Sequence, residues 1–189
     1  MSQDRKLSRS FPRSENKLNV LLPAERVAER VEELAHEIDE YYSGREVVVV
    51  VVLRGAFIFA SDLVRRIQTP ILIDFICLES YHDGICSSGN VRVASDMRMP
   101  VKDRHVLIIE DIVDTGYSAD FLINHLYEAG ASDVRLCALL DKPSRREMEV
   151  DIHFLGFTVP DAFVVGYGID HAQRYRNLPD IRTIEISDH

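Results

Sequence analysis

The densest cluster of reactive side chains lies in the thirteen residues Val106-Leu107-Ile108-Ile109-Glu110-Asp111-Ile112-Val113-Asp114-Thr115-Gly116-Tyr117-Ser118. An apolar strand delivers Glu110, Asp111 and Asp114 to its end, and two hydroxyls and a glycine follow at the mouth of a helix. A helix N-terminus offers unpaired N–H groups and a favourable dipole to a phosphate. Carboxylates repel a bare phosphate, so the combination suits a phosphorylated sugar better. Glu110 and Asp111, as pure acceptors, can take hydrogen bonds from a ribose diol, and they favour positive charge developing on the ring as a leaving group departs. The turn from Asp114 to Ser118 would then hold the 5′-phosphate.

Other readings of the same residues are weaker. Asp114-Thr115-Gly116 matches the aspartic-protease tripeptide, but that chemistry needs β-rich lobes and a second such loop, whereas this one enters a helix. Neither GxxxxGK[ST] nor GxGxxG occurs, and Asp111 and Asp114 are three apart, not the two of a DxD phosphatase motif. A plain acidic turn with a helix cap remains the alternative without chemistry.

The elements that must position this segment follow from periodicity. Pro23 opens an amphipathic helix with Val27, Val31, Leu34, Ile38 and Tyr41 on one face, ended by Ser43-Gly44. Residues 47–53 are continuously β-branched or leucine, as in a central parallel strand covered on both faces. Residues 56–67 read as a helix with Phe57, Ala60, Leu63, Val64 and Ile67 inward, and 71–78 as the next strand, completing a βαβ unit. A strand at 106–109, a helix from about 118 to 129 stopped by Gly130, and a strand at 134–140 continue the alternation. Short strands are expected around 152–155, 163–167 and 183–186. The pattern is α/β, a doubly wound, mainly parallel sheet whose ligands bind beyond the carboxyl ends of the strands. Residues 80–100, rich in Gly and Ser and broken by the alternating stretch 90–94, read as a mobile hairpin-like loop.

Bulk properties exclude several classes. A chain of 189 residues has room for one domain with a full core, and no apolar run is long enough to span a bilayer. A formal net charge of −9 argues against holding a nucleic-acid backbone. Cys77, Cys86 and Cys137 show no CxxC spacing and the histidines no HExxH, so a reduced, cytoplasmic setting without a zinc site is expected. Residues 1–17 are polar and read as a disordered leader, with 18–189 as the domain.

The segment 106–118 resembles the phosphoribosyl-pyrophosphate loop of type I phosphoribosyltransferases. Several others resemble their hypoxanthine-guanine branch: Leu53-Arg54-Gly55-Ala56-Phe57, Glu79-Ser80-Tyr81, Leu140-Asp141-Lys142-Pro143-Ser144-Arg145-Arg146, Phe163-Val164-Val165-Gly166-Tyr167-Gly168-Ile169-Asp170 and Tyr175-Arg176-Asn177-Leu178-Pro179. The motifs run in family order over roughly residues 20 to 180.

The resemblance implies a sheet with a small hood, built from the N-terminal segment and about 150–189, and a flexible lid at about 80–100 starting at Ser80 and Tyr81. It implies Mg²⁺ as cofactor, phosphoribosyl pyrophosphate and a purine base as substrates, no nucleic-acid or membrane partner, and a homodimer or homotetramer. Glu110 and Asp111 would bind ribose; Asp114 would be the catalytic base or hydrogen-bond partner at the purine imidazole; Asp114, Thr115, Gly116, Tyr117 and Ser118 would wrap the 5′-phosphate. Arg54, Gly55 and Arg176 would meet pyrophosphate. Lys142, Phe163, Val164 and Asp170 would form the purine site, with Lys142 donating to O6, and Asp170, Glu110 and Asp111 would face the metal. On spacing alone Lys142 can be a solvated strand-end lysine, Phe163 a core residue and Asp170 an ordinary turn. Arg54 stands where the family more often has lysine, and Ser118 where it has threonine. A phosphoribosyltransferase for xanthine, adenine or uracil, or a nucleic-acid-binding regulator on the same fold, are the other functions to be weighed.

Overall fold

The computed structural model describes residues 17–80 and 91–185. Six valines in a row have no polar face to turn to water, and in strand β2 (Val47–Leu53) all six are buried. Strands β3 (Ile71–Ser80) and β5 (His105–Val113) flank β2 in parallel; β6 (Asp133–Asp141) then pairs with β5, and β7 (Phe154–Thr158) with β6. Only β4 (Val91–Ser95) is antiparallel, on β3, giving the order β4-β3-β2-β5-β6-β7. Side chains alternate across the sheet, so the strands feed two cores. Val47, Val49, Val51, Leu107, Ile109 and Leu139 face helices α1 (Ala24–Tyr42) and α2 (Phe57–Val64). On the other side Val48, Val50, Val106, Ile108 and Leu136 meet Ala119, Leu122 and Leu126 of α3 (Tyr117–Glu128). The crossovers through α2 and α3 leave β2 and β5 in opposite directions, and their shared end is the switch point where ligands bind in such sheets.

Several boundaries differ from the sequence expectation. In α1 it is Tyr42 that is fully buried, while Tyr41 is 37% exposed and packs edge-on against Tyr42 and Phe154. From Ile38 the apolar stripe advances by four, not three, as the 3.6-residue period permits. In α2, Phe59 is buried and Phe57 exposed, and the helix stops at Val64, where Arg66 N–H bonds Leu63 O and tightens the last turn. β5 continues four residues beyond Ile109 because β6 keeps pairing with it: Glu110 lies opposite Ala138, Ile112 opposite Leu140 and Val113 opposite Asp141. The expected strand at 152–155 becomes β7 at Phe154–Thr158, and that at 163–167 shrinks to β8 (Val164–Val165). The last described strand, β9, is Ile181–Glu185.

The separate sheet β1-β9-β8 is antiparallel. Its outer strand β1 (Lys17–Leu22) begins at a residue assigned to the polar leader, with Lys17 opposite Glu185. Residues 1–16, and residues 81–90 with Tyr81 and Cys86, lie outside the described residues. Among the described residues no helix is long and apolar enough to cross a membrane.

Asp74 ties the segment after β4 to β3: its carboxylate accepts from Arg98 N at 2.6 Å, Met99 N at 2.7 Å and Phe75 N at 2.8 Å. Burial alone would raise its pKa, but these N–H groups and the Arg98 charge outweigh it and hold the carboxyl below its usual range. A depressed folded pKa means that the stabilisation is complete above the unfolded value of about 3.9 and fades as pH falls through the lower, folded value. Asp74→Asn should therefore cost about 1–2 kcal/mol in urea unfolding at pH 7 and progressively less as pH falls below about 3.9; a deficit that does not shrink with falling pH would refute this role.

Candidate active site

Pairing between β2 and β5 ends at Val51 and Ile109, while β5 runs on beside β6 alone. Beyond that point β2 turns away through Leu53, Arg54 and Gly55, and one flank of β5 is open. Glu110 and Asp111 occupy this stretch, within the strand and not after it. The Leu53–Arg54 peptide is cis. Gly55 lies against the Asp111 carboxylate so closely that a β-carbon there would collide with the carboxylate, its Oδ1 being only 2.8 Å from that position.

The two carboxyls are half-buried neighbours that perturb one another. Burial first, then the adjacent Asp111 carboxyl, pushes Glu110 well above the usual carboxylate range. Burial also raises Asp111, against the opposing pull of Glu110, the N–H groups of Asp111 and Ile112, and the Arg176 charge. Adjacent enclosed carboxyls resist ionising together, so this site favours whatever supplies donors or positive charge: sugar hydroxyls, a cationic ring or a hard metal ion.

The loop after β8 closes the next side. Gly168, at φ +105°, approaches the Gly55 carbonyl at a spot where a β-carbon would overlap it. Arg176 donates to Gly168 O at 2.8 Å and pairs with Asp170 at 2.7 Å, and Asp170 also accepts from Gln173 N at 2.7 Å. Gln173 Oε1 receives both Arg176, at 3.2 Å, and Arg54, at 3.3 Å. The Arg176 guanidinium and the Gly55 backbone thus stand beside Asp111, with Arg54 joined to Arg176 through Gln173, a constellation suited to a charged phosphate chain.

On the other side of β5 a small pocket of about 90 Å³ is lined by Glu110, Ile112, Val113, Asp114, Thr115, Gly116, Ser118 and Ala119. Gly116, at φ +95°, caps α3 without any side-chain cap, and Met148 O occupies the space a β-carbon would need. The first-turn N–H groups of a helix have no acceptor within it, so this concavity offers backbone donors of a kind that suits an oxyanion. The Tyr117 side chain turns away and donates to Glu147 at 3.1 Å; only its backbone is available to a ligand here.

Ile112 and Asp114 also form one wall of a larger cleft of about 400 Å³, completed by Lys142, Arg145, Asp161, Ala162, Phe163, Val164 and Ile169. That volume suits a small aromatic ligand. Lys142 is 6% exposed, anchored by its N–H to Val113 O at 3.0 Å, and its ammonium has no hydrogen bond or ion pair among the described residues. Phe163 is 60% exposed, which suits a stacking platform and not a core residue. Val164, by contrast, is buried in β8 opposite Thr183.

The expected site residues therefore gather at three adjoining places around the open end of β5. Ser80 ends β3, while Tyr81 lies outside the described residues. No local sequence pattern assigns a role to Arg145, Asp161 or Gln173. Arg145 was visible inside the motif from Leu140 to Arg146, but its reach to Asp114, at 2.9 Å, depends on the turn Pro143–Arg145 folding back on β5. Among the described residues no group of three or more His, Cys, Asp or Glu side chains is arranged to hold a metal.

Comparison with known proteins places these features in context. Residues 19–172 match the family model described as the phosphoribosyl transferase domain. A hypoxanthine phosphoribosyltransferase of Haemophilus influenzae is 42% identical over 174 residues, spanning 90% of this chain and 97% of that protein. The hypoxanthine phosphoribosyltransferase of Escherichia coli K12 is 40% identical, with 90% and 97% covered. A crystal structure of a hypoxanthine-guanine phosphoribosyltransferase from Bacillus anthracis, with HEPES in its active site, superposes with a TM-score of 0.86 at 40% identity, covering 90% of this chain and all of that one.

The contact between Gly55 and Asp111 can be tested without any substrate. Gly55→Ala must displace either the turn or the carboxylate and should lower unfolding free energy by about 1–3 kcal/mol in a denaturant titration, the usual cost of overpacking; an unchanged midpoint would show that the space exists.

Proposed function

The chain belongs to the phosphoribosyltransferase family, and from that premise we propose that it acts in purine salvage, transferring the 5-phosphoribosyl group of phosphoribosyl pyrophosphate to hypoxanthine, guanine or both. The observation that carries this reading is the shared wall of Ile112 and Asp114: an oxyanion-sized pocket lies on one side and a base-sized cleft on the other. A nucleotide has the same layout, with its phosphate and its base on either side of the sugar.

In this reading the 5′-phosphate sits against Asp114, Thr115, Gly116, Tyr117 and Ser118, held by backbone N–H groups and the hydroxyls of Thr115 and Ser118. Glu110 and Asp111 accept from the ribose hydroxyls. Phe163 stacks on the purine, the Val164 backbone meets its edge, and the unpartnered Lys142 ammonium donates to O6. Adenine carries an amino group there and offers a cation no acceptor, so 6-oxopurines are favoured. Arg176, Arg54 and the Gly55 backbone receive the pyrophosphate. Purine N9 bonds to C1 of the sugar as the C1–O bond to pyrophosphate breaks, and the proton lost from the imidazole ring passes to Asp114. Alignment and charge stabilisation supply most of the rate. Ser80 and Tyr81 begin the lid that keeps water from a ring with oxocarbenium character.

The donor set suits Mg²⁺. This ion is usually held by one or two carboxylates together with substrate phosphates, and not by a protein cage. Asp170, Glu110 and Asp111 are the carboxylates that would face it, and it would neutralise charge on the departing pyrophosphate. A cytoplasmic homodimer or homotetramer completes the proposal.

Ultraviolet absorbance on mixing the protein with Mg²⁺, phosphoribosyl pyrophosphate and each base in turn should show turnover with hypoxanthine or guanine and little with adenine or uracil. The reverse order would reject the base assignment. Asp114→Asn should lower kcat about 10²- to 10⁴-fold, as removal of a general base does; near-normal turnover would take Asp114 out of that role.

A further inference from the structure

Asp114 is held at one of its two oxygens. Oδ1 is enclosed and accepts no well-aligned hydrogen bond. Its ionic neighbour is Arg145, whose Nε stands 2.9 Å away, and Arg145 Nη1 reaches on to Asp161 Oδ1 at 3.7 Å. The Asp114 Oδ2 atom has no protein partner among the described residues. All three side chains line the cleft that holds Lys142 and Phe163.

They come from three different connections. Asp114 follows β5. Arg145 ends the turn Pro143–Arg145 after β6, which is closed by its own N–H to Lys142 O at 3.1 Å. Asp161 lies two residues before Phe163, in a bend closed by Ala162 N–H to Pro160 O at 2.8 Å. The chain from carboxylate to guanidinium to carboxylate therefore joins the phosphate loop to the platform for the base.

The side chains of Asp114, Arg145 and Asp161 are 40%, 45% and 57% exposed, and ion pairs this open to water add little to stability. Their placement in the cleft calls for another explanation. A general base commonly needs a third group to orient it.

We propose that Arg145 is a positioning residue for the transfer reaction: it holds Oδ1 of Asp114, so that Oδ2 is presented to the imidazole proton of the purine, and Asp161 steadies the guanidinium in turn. The inference rests on Asp114 being the proton acceptor. No bond to Arg145 forms or breaks in the reaction; its part is to fix the direction in which the carboxylate points.

A double-mutant cycle tests it, with steady-state kinetics on both substrates for the parent protein, Arg145→Gln, Asp114→Asn and the double variant, and with circular dichroism and melting curves to establish folding. Arg145→Gln should lower kcat about tenfold to a hundredfold, as misplacement of a reacting group does, while KM for phosphoribosyl pyrophosphate stays within about twofold. In the Asp114→Asn background the same change should alter kcat by less than about twofold, since coupled residues are not additive. Arg145→Lys should recover part of the loss, and Asp161→Asn should lower kcat several-fold in the same direction.

An equal loss in both backgrounds, or a normal kcat for Arg145→Gln beside an impaired Asp114→Asn, overturns the positioning role and leaves the assignment of Asp114 standing. A normal kcat for Asp114→Asn overturns both. If Arg145→Gln does not fold, Asp161→Asn closes the same cycle with the same outcomes.

Discussion

Pairing along β5 is two-sided as far as Ile109 and one-sided beyond it, and the site depends on that difference. Had β2 continued beside Glu110 and Asp111, its backbone would fill the space along that flank of β5. Because β2 ends at Leu53 and its pairing with β5 at Val51, the two half-buried carboxyls lie beside a space left by the strand. Burying charge is unfavourable unless a partner is supplied, and here the partners left to supply it are those of a ligand. The strain on ionisation at Glu110 and the receptiveness of the site to hydroxyls or cations are one physical fact.

An acidic protein that handles phosphates has to concentrate its attraction locally. The net charge of −9 gives no long-range help. Instead the α3 N-terminus offers backbone dipoles on one side of β5, and Arg176 offers a guanidinium on the other, already fixed by Asp170, Gln173 and the Gly168 carbonyl. A fork held this way loses little freedom on binding, which suits a multiply charged ligand. Close backbone approach at Gly55, Gly116 and Gly168 makes room for these contacts, and at the last two a positive φ adds a second reason for glycine.

The sheet was legible in the sequence because unbroken β-branched runs such as 47–53 admit few other readings, and α1 because its apolar period was clean. The inward face of α2 was not: residues 57–60 are all apolar, so periodicity alone could not choose Phe59 over Phe57. Polar Glu110 and Asp111 read as the end of a strand, and only lateral pairing with β6 keeps them inside it. β1 is not legible locally, because its residues are partly or fully exposed and owe their strand conformation to β9, some 160 residues away. In the candidate site, the carboxylate and hydroxyl motif could be read locally, and family resemblance supplied roles for Lys142 and Phe163. Arg145 could not be read, since its partners Asp114 and Asp161 meet it only in three dimensions.

The most direct measurement is a crystal structure of the protein soaked with inosine 5′-monophosphate. The account places the ribose hydroxyls within hydrogen-bond distance of Glu110 and Asp111, the phosphate against the backbone of residues 115–118, and the base between Phe163 and Lys142. A pentose bound away from the two carboxylates, or a phosphate lodged elsewhere than the mouth of α3, would contradict it.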